Sequence, residues 1–547
     1  IAEAALAIEM GATAEDIAAF LVKEREDLYQ KSLPYRVIYP DGKEPPRPPL
    51  DLSKKQNNRP SYISIDQVIE GVVTKIDSKW GLVTVRYAEN QGLIDIDDMT
   101  WARKPDVTKH FSEDTIKDPA QALKVGDVIE IRLKADRFTS KRIDKLLKAQ
   151  TPKGKKLVRP PELPVFEEYA LLSLEQEPIV EGALLSYDLD TGDVLSMVGG
   201  IDFEKSKYNR ALQASRQTGS TFKGVIYASA LDKGMTAATT IVDAPVVYEE
   251  GEGQESKKWK PGNFEGKFSG DVLFRNAIIK SLNIPTVKIL EKVGTEWVAR
   301  YARRLGIFSP LNMDGTMALG SSSITLFEMT KAFATYPKGG KRFHPILIRK
   351  VTDSQGKTLI ENVLLEERFR KELNQLDLEF HPELADQIRK RKGLVRIDED
   401  EEAAAAIGAT PSPTIAAPVA TAPLTMASAQ PSASPVYSNI PAFNFQDPEQ
   451  LISPQTAYLI THLLKGVVNE GTGWRAKALG RPAAGKTGTT NGYFDAWFLG
   501  YTPHVVTGTW VGFDDERPIG RFETGNASAL PIWVDYMMVA VEDTPAS

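Results

Sequence analysis

Between residues 60 and 150 apolar and polar positions alternate in short runs. Residues 72–76 and 82–86 flank a Lys79-Trp80-Gly81 turn, and runs at 92–96 and 125–133 follow. A two-residue period broken by regular turns predicts short strands, and this spacing predicts a small β-barrel of the OB type. Ahead of it, residues 1 to about 30 mix apolar and acidic positions with helical spacing. Pro45-Pro46-Arg47-Pro48-Pro49 then breaks regular structure. Residues 1–59 therefore read as a remnant and linker, and 60–160 as the barrel.

From 161 to 547 the pattern is α+β. Apolar runs at 183–189 and 194–198 flank the turn Asp190-Thr191-Gly192-Asp193, which predicts a hairpin. Helical spacing begins after Ser220 and recurs at 273–281 and 325–336. After Pro454 a helix is predicted through 464. Strands are predicted at 484–490, 496–501 and 505–511, with an Asn491-Gly492 turn between the first two. Lys486 thus falls on a strand. Residues 403–438 are Ala, Pro, Ser and Thr with almost no charge. Such a stretch buries too little apolar surface to offset its ordering entropy, which predicts a disordered insertion at about 396–440. The acidic run at 398–402 reads as a solvated flank in preference to a metal site.

The 547 residues allow a sizeable core, and 42% hydrophobic residues is ordinary for a globular chain. A net charge of −6 disfavours a general nucleic-acid binder. The balanced charge of the barrel segment, with no aromatic run among its basic residues, argues the same for that domain. With no cysteine, disulfides, thiolate metal sites and cysteine nucleophiles are excluded together. The five histidines lack metal-ligand spacing. No metal or cofactor is expected. No apolar run is long enough for a membrane helix. The chain opens at Ile1 in a helical pattern, which suggests a fragment whose amino-terminal part, with any anchor, is missing.

Candidate chemistry lies in three short motifs. Ser220-Thr-Phe-Lys223 is followed by Ser281-Leu-Asn283 and then by Lys486-Thr487-Gly488. A serine hydroxyl needs a base before it becomes a nucleophile. At a helix start Ser220 and Lys223, three apart, share a face, so local geometry alone brings Lys223 to the hydroxyl. To act as a base Lys223 must be neutral. Burial and a second cation both lower a lysine pKa, and Lys486 is the candidate cation. Ser281 can relay a proton, and the Asn283 carboxamide can bond a lysine and a substrate amide. Lys486, Thr487 and Thr489 on a strand suit a substrate carboxylate. Gly488 leaves room for a substrate backbone to lie along that strand. The amides of Ser220 and Thr489 are the candidate oxyanion hole.

Each motif has a plainer reading. Ser220 fits an N-cap, Ser281-Leu-Asn-Ile-Pro fits a helix terminus before Pro285, and Lys486 fits an edge strand. A second Ser-x-x-Lys, Ser354 to Lys357, reads as a hairpin turn. The segment 480–487 matches the phosphate-loop pattern, but it lacks a buried strand before it and a helix after it. Trp497, Phe498 and Trp510 read as core and cleft wall.

Order and context carry more than any single motif. Glu181-Gly-Ala-Leu-Leu-Ser-Tyr-Asp, Arg216-Gln-Thr-Gly-Ser-Thr-Phe-Lys, Ser281-Leu-Asn-Ile-Pro-Thr-Val and Gly485-Lys-Thr-Gly-Thr-Thr-Asn together resemble the class A penicillin-binding proteins of Gram-negative type. The resemblance covers about 165–547, and 60–150 is similar to that family's OB-like insertion. It implies a penicillin-binding and β-lactamase-like fold, with an antiparallel sheet flanked by helices. It implies a serine DD-transpeptidase in which Ser220 attacks the penultimate D-Ala carbonyl of a peptidoglycan stem peptide and hands the acyl group to a neighbouring amine. β-Lactams would acylate the same serine. It further implies a periplasmic protein anchored in the inner membrane, with cell-wall synthesis proteins as partners of the barrel. Thr218 and Gly224 stand where the family usually has proline. No glycosyltransferase motif is found. The competing readings are a DD-carboxypeptidase or β-lactamase-type hydrolase, and a non-catalytic β-lactam sensor or scaffold.

Overall fold

The computed structural model describes residues 63–88, 90–150, 159–250, 257–380, 445 and 447–545. The expected linker at 1–59 and the insertion at 396–440 with its acidic run lie outside these. Two compact units divide at residue 179.

The first unit is a closed barrel. Its strands are β1 (Val68–Asp77), β2 (Leu82–Tyr87), β3 (Asn90–Asp95), β4 (Val128–Ala135) and β5 (Ala170–Glu175), in the spatial order β1-β2-β3-β5-β4. Alternation fills the interior: Val73, Val83, Val85, Ile94, Ile131, Leu133 and Leu172 are all fully buried. Gly71 and Gly92 make room for this filling, since a Cβ at Gly92 would lie 2.4 Å from Leu172 Cδ1. The helix Lys141–Gln150 covers one side through Ile143 and Leu147, and Arg142 bonds Asp95 at 2.7 Å.

This barrel corrects the expected junction at 160/161. Its last strand lies at 170–175, antiparallel to β4 and parallel to β3. Ala170, Leu172 and Leu174 face inward in clean alternation. The proline-rich lead at 160–164 reads as a linker, and the partners of β5 are distant in sequence, so local pattern could not place it. The fourth strand also begins later than expected, because residues 124–127 form a turn in which Asp127 accepts the Lys124 amide.

The second unit is built on a five-stranded antiparallel sheet. Its order is Ala484–Thr489, Asp495–Tyr501, Val505–Gly512, β6 (Glu181–Asp188) and β7 (Val194–Val198). Every residue of the second and third of these strands is buried. Successive side chains point to opposite faces, so both faces are covered. Trp497 and Leu499 enter one core with the helices Lys223–Asp232, Leu326–Ala334 and Pro454–Glu470. Ala496 and Phe498 enter another with the helix Leu530–Ala540. The Lys223–Asp232 helix is apolar all round and buried through Leu231, as a central helix must be.

A glycine contact sets the turn before that helix. Gly219, at φ +51°, presses on the Thr489 carbonyl: an added Cβ would lie 2.5 Å from that oxygen. Gly320, at φ +70°, packs on Gly219 in turn and accepts its amide at 3.1 Å. Only glycine tolerates both the left-handed backbone and the approach. Gly320→Ala is expected to cost about 1–3 kcal/mol, seen as a lower urea midpoint for unfolding of this unit.

Candidate active site

A cavity of about 710 Å³ opens between the Ala484–Thr489 strand and the loops around it. Ser220, Ser281, Asn283, Thr487 and Thr489 line it. Lys223 and Lys486 lie behind this lining, both 0% exposed.

Ser220 sits in a single 3-10 turn, Gly219–Thr221, that leads into the Lys223–Asp232 helix. No side chain caps this turn, so the N-cap reading of Ser220 fails. As the second residue of the turn, Ser220 presents an amide with no carbonyl to meet inside it. The Lys223 ammonium is turned away from its neighbour in sequence. It donates to Ser281 O at 2.8 Å and Asn283 Oδ1 at 2.7 Å, with longer contacts to Leu282 O and Ser281 Oγ at 3.4 and 3.5 Å. No hydrogen bond joins it to Ser220. The expectation that spacing alone would make this bond is corrected: the acceptors of 281–283 take the lysine's three donors.

Lys486 donates to Ser281 Oγ at 2.9 Å and to Thr487 O at 3.0 Å. One hydroxyl therefore lies within reach of two buried amines that are far apart in the chain. Burial holds the Lys223 ammonium well below the usual lysine range, and the like charge of Lys486 pushes the same way. Burial brings Lys486 down to about 7.

Ser281 has a left-handed backbone, φ +56°, unusual for a residue with a side chain. It joins the helix Phe274–Ile279 to the helix Asn283–Val293. The terminus reading was half correct. The first helix does end here, but Pro285 lies in the opening turn of the second, where its missing N–H costs nothing. Asn283, first in that helix, also donates through Nδ2 to Gly262 O at 2.8 Å.

The Ala484–Thr489 strand is at the sheet edge. The Thr490 amide bonds Asp495 O, toward the neighbouring strand. Alternation then places the Thr489 amide on the open side. Thr487 Oγ1 pairs with Thr472 Oγ1 at 2.7 Å, and Thr489 Oγ1 accepts the Gly525 amide at 3.1 Å. Gly488 has a different purpose from the one expected. A Cβ there would lie 2.6 Å from Thr218 O and 2.8 Å from Thr221 Cγ2, so its bareness admits the nucleophile turn and not a ligand. Trp497, Phe498 and Trp510 are core, and none lines the cavity. Of the two departures from the family pattern, Gly224 packs on the Phe333 ring, 2.8 Å from an added Cβ. Thr218 is fully buried beside the turn.

The rivals are placed elsewhere. Lys486 and Thr487 are extended strand, with no loop to wrap a phosphate and no helix following. Ser354 lies in the turn between Ile346–Thr352 and Thr358–Leu364, where Asp353 accepts the Gln355 and Lys357 amides. Among the described residues no cluster of metal-ligating side chains occurs, and no helix is long and apolar enough to cross a membrane. Asn263, Thr472 and Tyr493 line or support the cavity without having been singled out. Pro261-Gly262-Asn263 and Gly471-Thr472-Gly473 carry turn composition only.

Comparison with known proteins agrees with this geometry. Residues 182–417 and 439–513 match the penicillin binding protein transpeptidase domain, and 44–180 match the penicillin-binding protein OB-like domain. Penicillin-binding protein 1A of Pseudomonas aeruginosa is 31% identical over 488 residues, covering 88% of this chain and 50% of the relative. That of Neisseria lactamica is 34% identical over 373 residues, covering 68% and 37%. The chain thus spans half or less of the length of these relatives. The crystal structure of penicillin-binding protein 1A from Haemophilus influenzae shares the fold, with a TM-score of 0.58 at 23% identity over 89% of this chain and 59% of that one. The chain belongs to the penicillin-binding protein transpeptidase family and carries that family's OB-like domain.

Proposed function

We propose that residues 180–547 form a serine D-Ala-D-Ala transpeptidase. The observation that carries this is the hydroxyl of Ser281 set between Lys486 and Lys223 beside a cavity lined by Ser220. Ser220 Oγ attacks the penultimate D-Ala carbonyl of a stem peptide and gives its proton to neutral Lys223. The oxyanion is held by the amides of Ser220 and Thr489. The carbon–nitrogen bond breaks, and the leaving D-Ala amine takes a proton from Lys223 through Ser281. An acyl ester on Ser220 remains. A neighbouring stem's amine attacks that ester and loses a proton to the same base, and Ser220 leaves reprotonated. Lys486, with the hydroxyls of Thr487 and Thr489, binds the terminal carboxylate, while Asn283 bonds the substrate amide. β-Lactams, which carry a comparable carboxylate and a strained amide, follow the first half of this path.

Deacylation separates the transpeptidase from a hydrolase. The cavity-lining acids are Glu265 and Glu470, both solvent-exposed, and neither bonds Lys223, Ser281 or Asn283. This favours a persistent acyl-enzyme over water activation. The proposed setting is the periplasm, on a membrane-anchored protein, with the barrel meeting cell-wall synthesis proteins.

Labelling with a fluorescent penicillin and mass mapping of the adduct tests the reading. A long-lived adduct on the peptide containing Ser220 is expected. An adduct at Ser354 would overturn the assignment, and rapid turnover would favour a hydrolase.

A further inference from the structure

We propose that Asn263, held by Asp243, is a positioning residue for acylation of Ser220. The Asn283–Val293 helix has no cap from its own N-cap residue, Leu282. Its cap comes from elsewhere in the chain. Asn263 Oδ1 accepts the amides of Asn283 at 2.9 Å and Ile284 at 3.2 Å. Two otherwise orphaned donors of the first turn are thereby satisfied.

The orientation of this carboxamide is dictated by its surroundings. Its Nδ2 faces acceptors only: Asp243 Oδ1 at 2.8 Å, Asp243 Oδ2 at 3.0 Å and Lys267 O at 2.8 Å. A flipped amide would set oxygen against each of them. Asp243 is fully buried at the end of the strand Thr240–Asp243, and its Oδ2 also accepts the Ser269 amide at 2.9 Å. The adjoining Gly262 carbonyl takes the Asn283 side chain through Nδ2. Residues 262 and 263 thus grip Asn283 by backbone and side chain together. The remaining polar atom of that side chain, Oδ1, holds the Lys223 ammonium. The position of the base depends on this grip, although Asn263 touches no reacting atom in the proposed reaction.

The inference rests on the transpeptidase reading, and one experiment separates the two. Acylation by a fluorescent penicillin is followed to completion for the whole chain, giving both a rate constant and a stoichiometry of active sites. In Asn263→Ala the rate constant is expected to fall about 10- to 100-fold at unchanged stoichiometry, the scale of a small misplacement of a reacting group. In Asn263→Asp two carboxylates meet, and both folding and rate suffer. Adding Asp243→Asn restores a donor opposite an acceptor and keeps the cap, so the double variant is expected to recover at least tenfold over the single. A wild-type rate constant in Asn263→Ala, with only the unfolding midpoint lowered, would overturn the positioning role and leave the transpeptidase reading intact. So would a folded double variant that stays slow, or failure of both variants to fold, which would make the pair a fold element alone. No adduct on the wild-type protein would overturn both readings.

Discussion

A Lys223→Arg variant is expected to acylate with penicillin about 10²- to 10⁴-fold more slowly than the wild type, the usual contribution of a positioned base. The substitution keeps the positive charge and a long stem, and guanidinium donors can still serve the Ser281 and Asn283 oxygens. It removes one property, the ability to shed a proton, because arginine stays charged at any pH the fold survives. Lysine at this position is fully buried, with a second amine pressing on it, and both effects favour the neutral form. The measurement is the second-order rate constant for acylation, with circular dichroism to show that the fold persists. A rate within tenfold of wild type would remove Lys223 from the role of base. Ser220 would then need another proton acceptor, and among its surroundings only Ser281 and Lys486 offer a route.

The parts of the fold legible in sequence are those fixed by near neighbours. The β6–β7 hairpin follows from Asp190-Thr191-Gly192-Asp193. The hairpin carrying Lys486 follows from Asn491-Gly492, although its connection spans Thr490 to Phe494 and is no two-residue turn. The three motifs pointed to one site because their residue types suit one chemistry. What remained hidden depends on distant partners. The pairing of β5 with β3 and β4 joins segments far apart in the chain. Gly488 looks the same in sequence whether it faces a ligand or the carbonyl of Thr218. Asn263 looks like any turn asparagine until the bare helix start at Asn283 is seen beside it. The spacing of Ser220 and Lys223 was misleading for a related reason. It describes reach, whereas the bond goes to whichever acceptors tertiary structure supplies.

Removing the second amine should change the shape of the pH profile as well as its height. In the wild type the two lysines titrate as a pair. At low pH both are charged and Lys223 cannot accept a proton. At high pH both are neutral and the substrate carboxylate loses its partner. The active form carries one proton, on Lys486, so acylation plotted against pH is expected to be bell-shaped. Its descending limb in the free protein should fall near the Lys486 value of about 7. In Lys486→Met the rate at pH 7 is expected to drop about 10²- to 10³-fold, the cost of losing one fixed donor in such a site. The descending limb should vanish with the group that causes it. The ascending limb should move to higher pH. The Lys486 charge lowers the Lys223 pKa, so without it Lys223 binds its proton more tightly and needs a more alkaline solution to release it. Burial of Lys223 is unaltered and keeps part of the depression. A limb that shifts to lower pH, or a profile that keeps both limbs in place, would show that the two amines do not act on each other, and that the Ser281 hydroxyl between them transmits no proton.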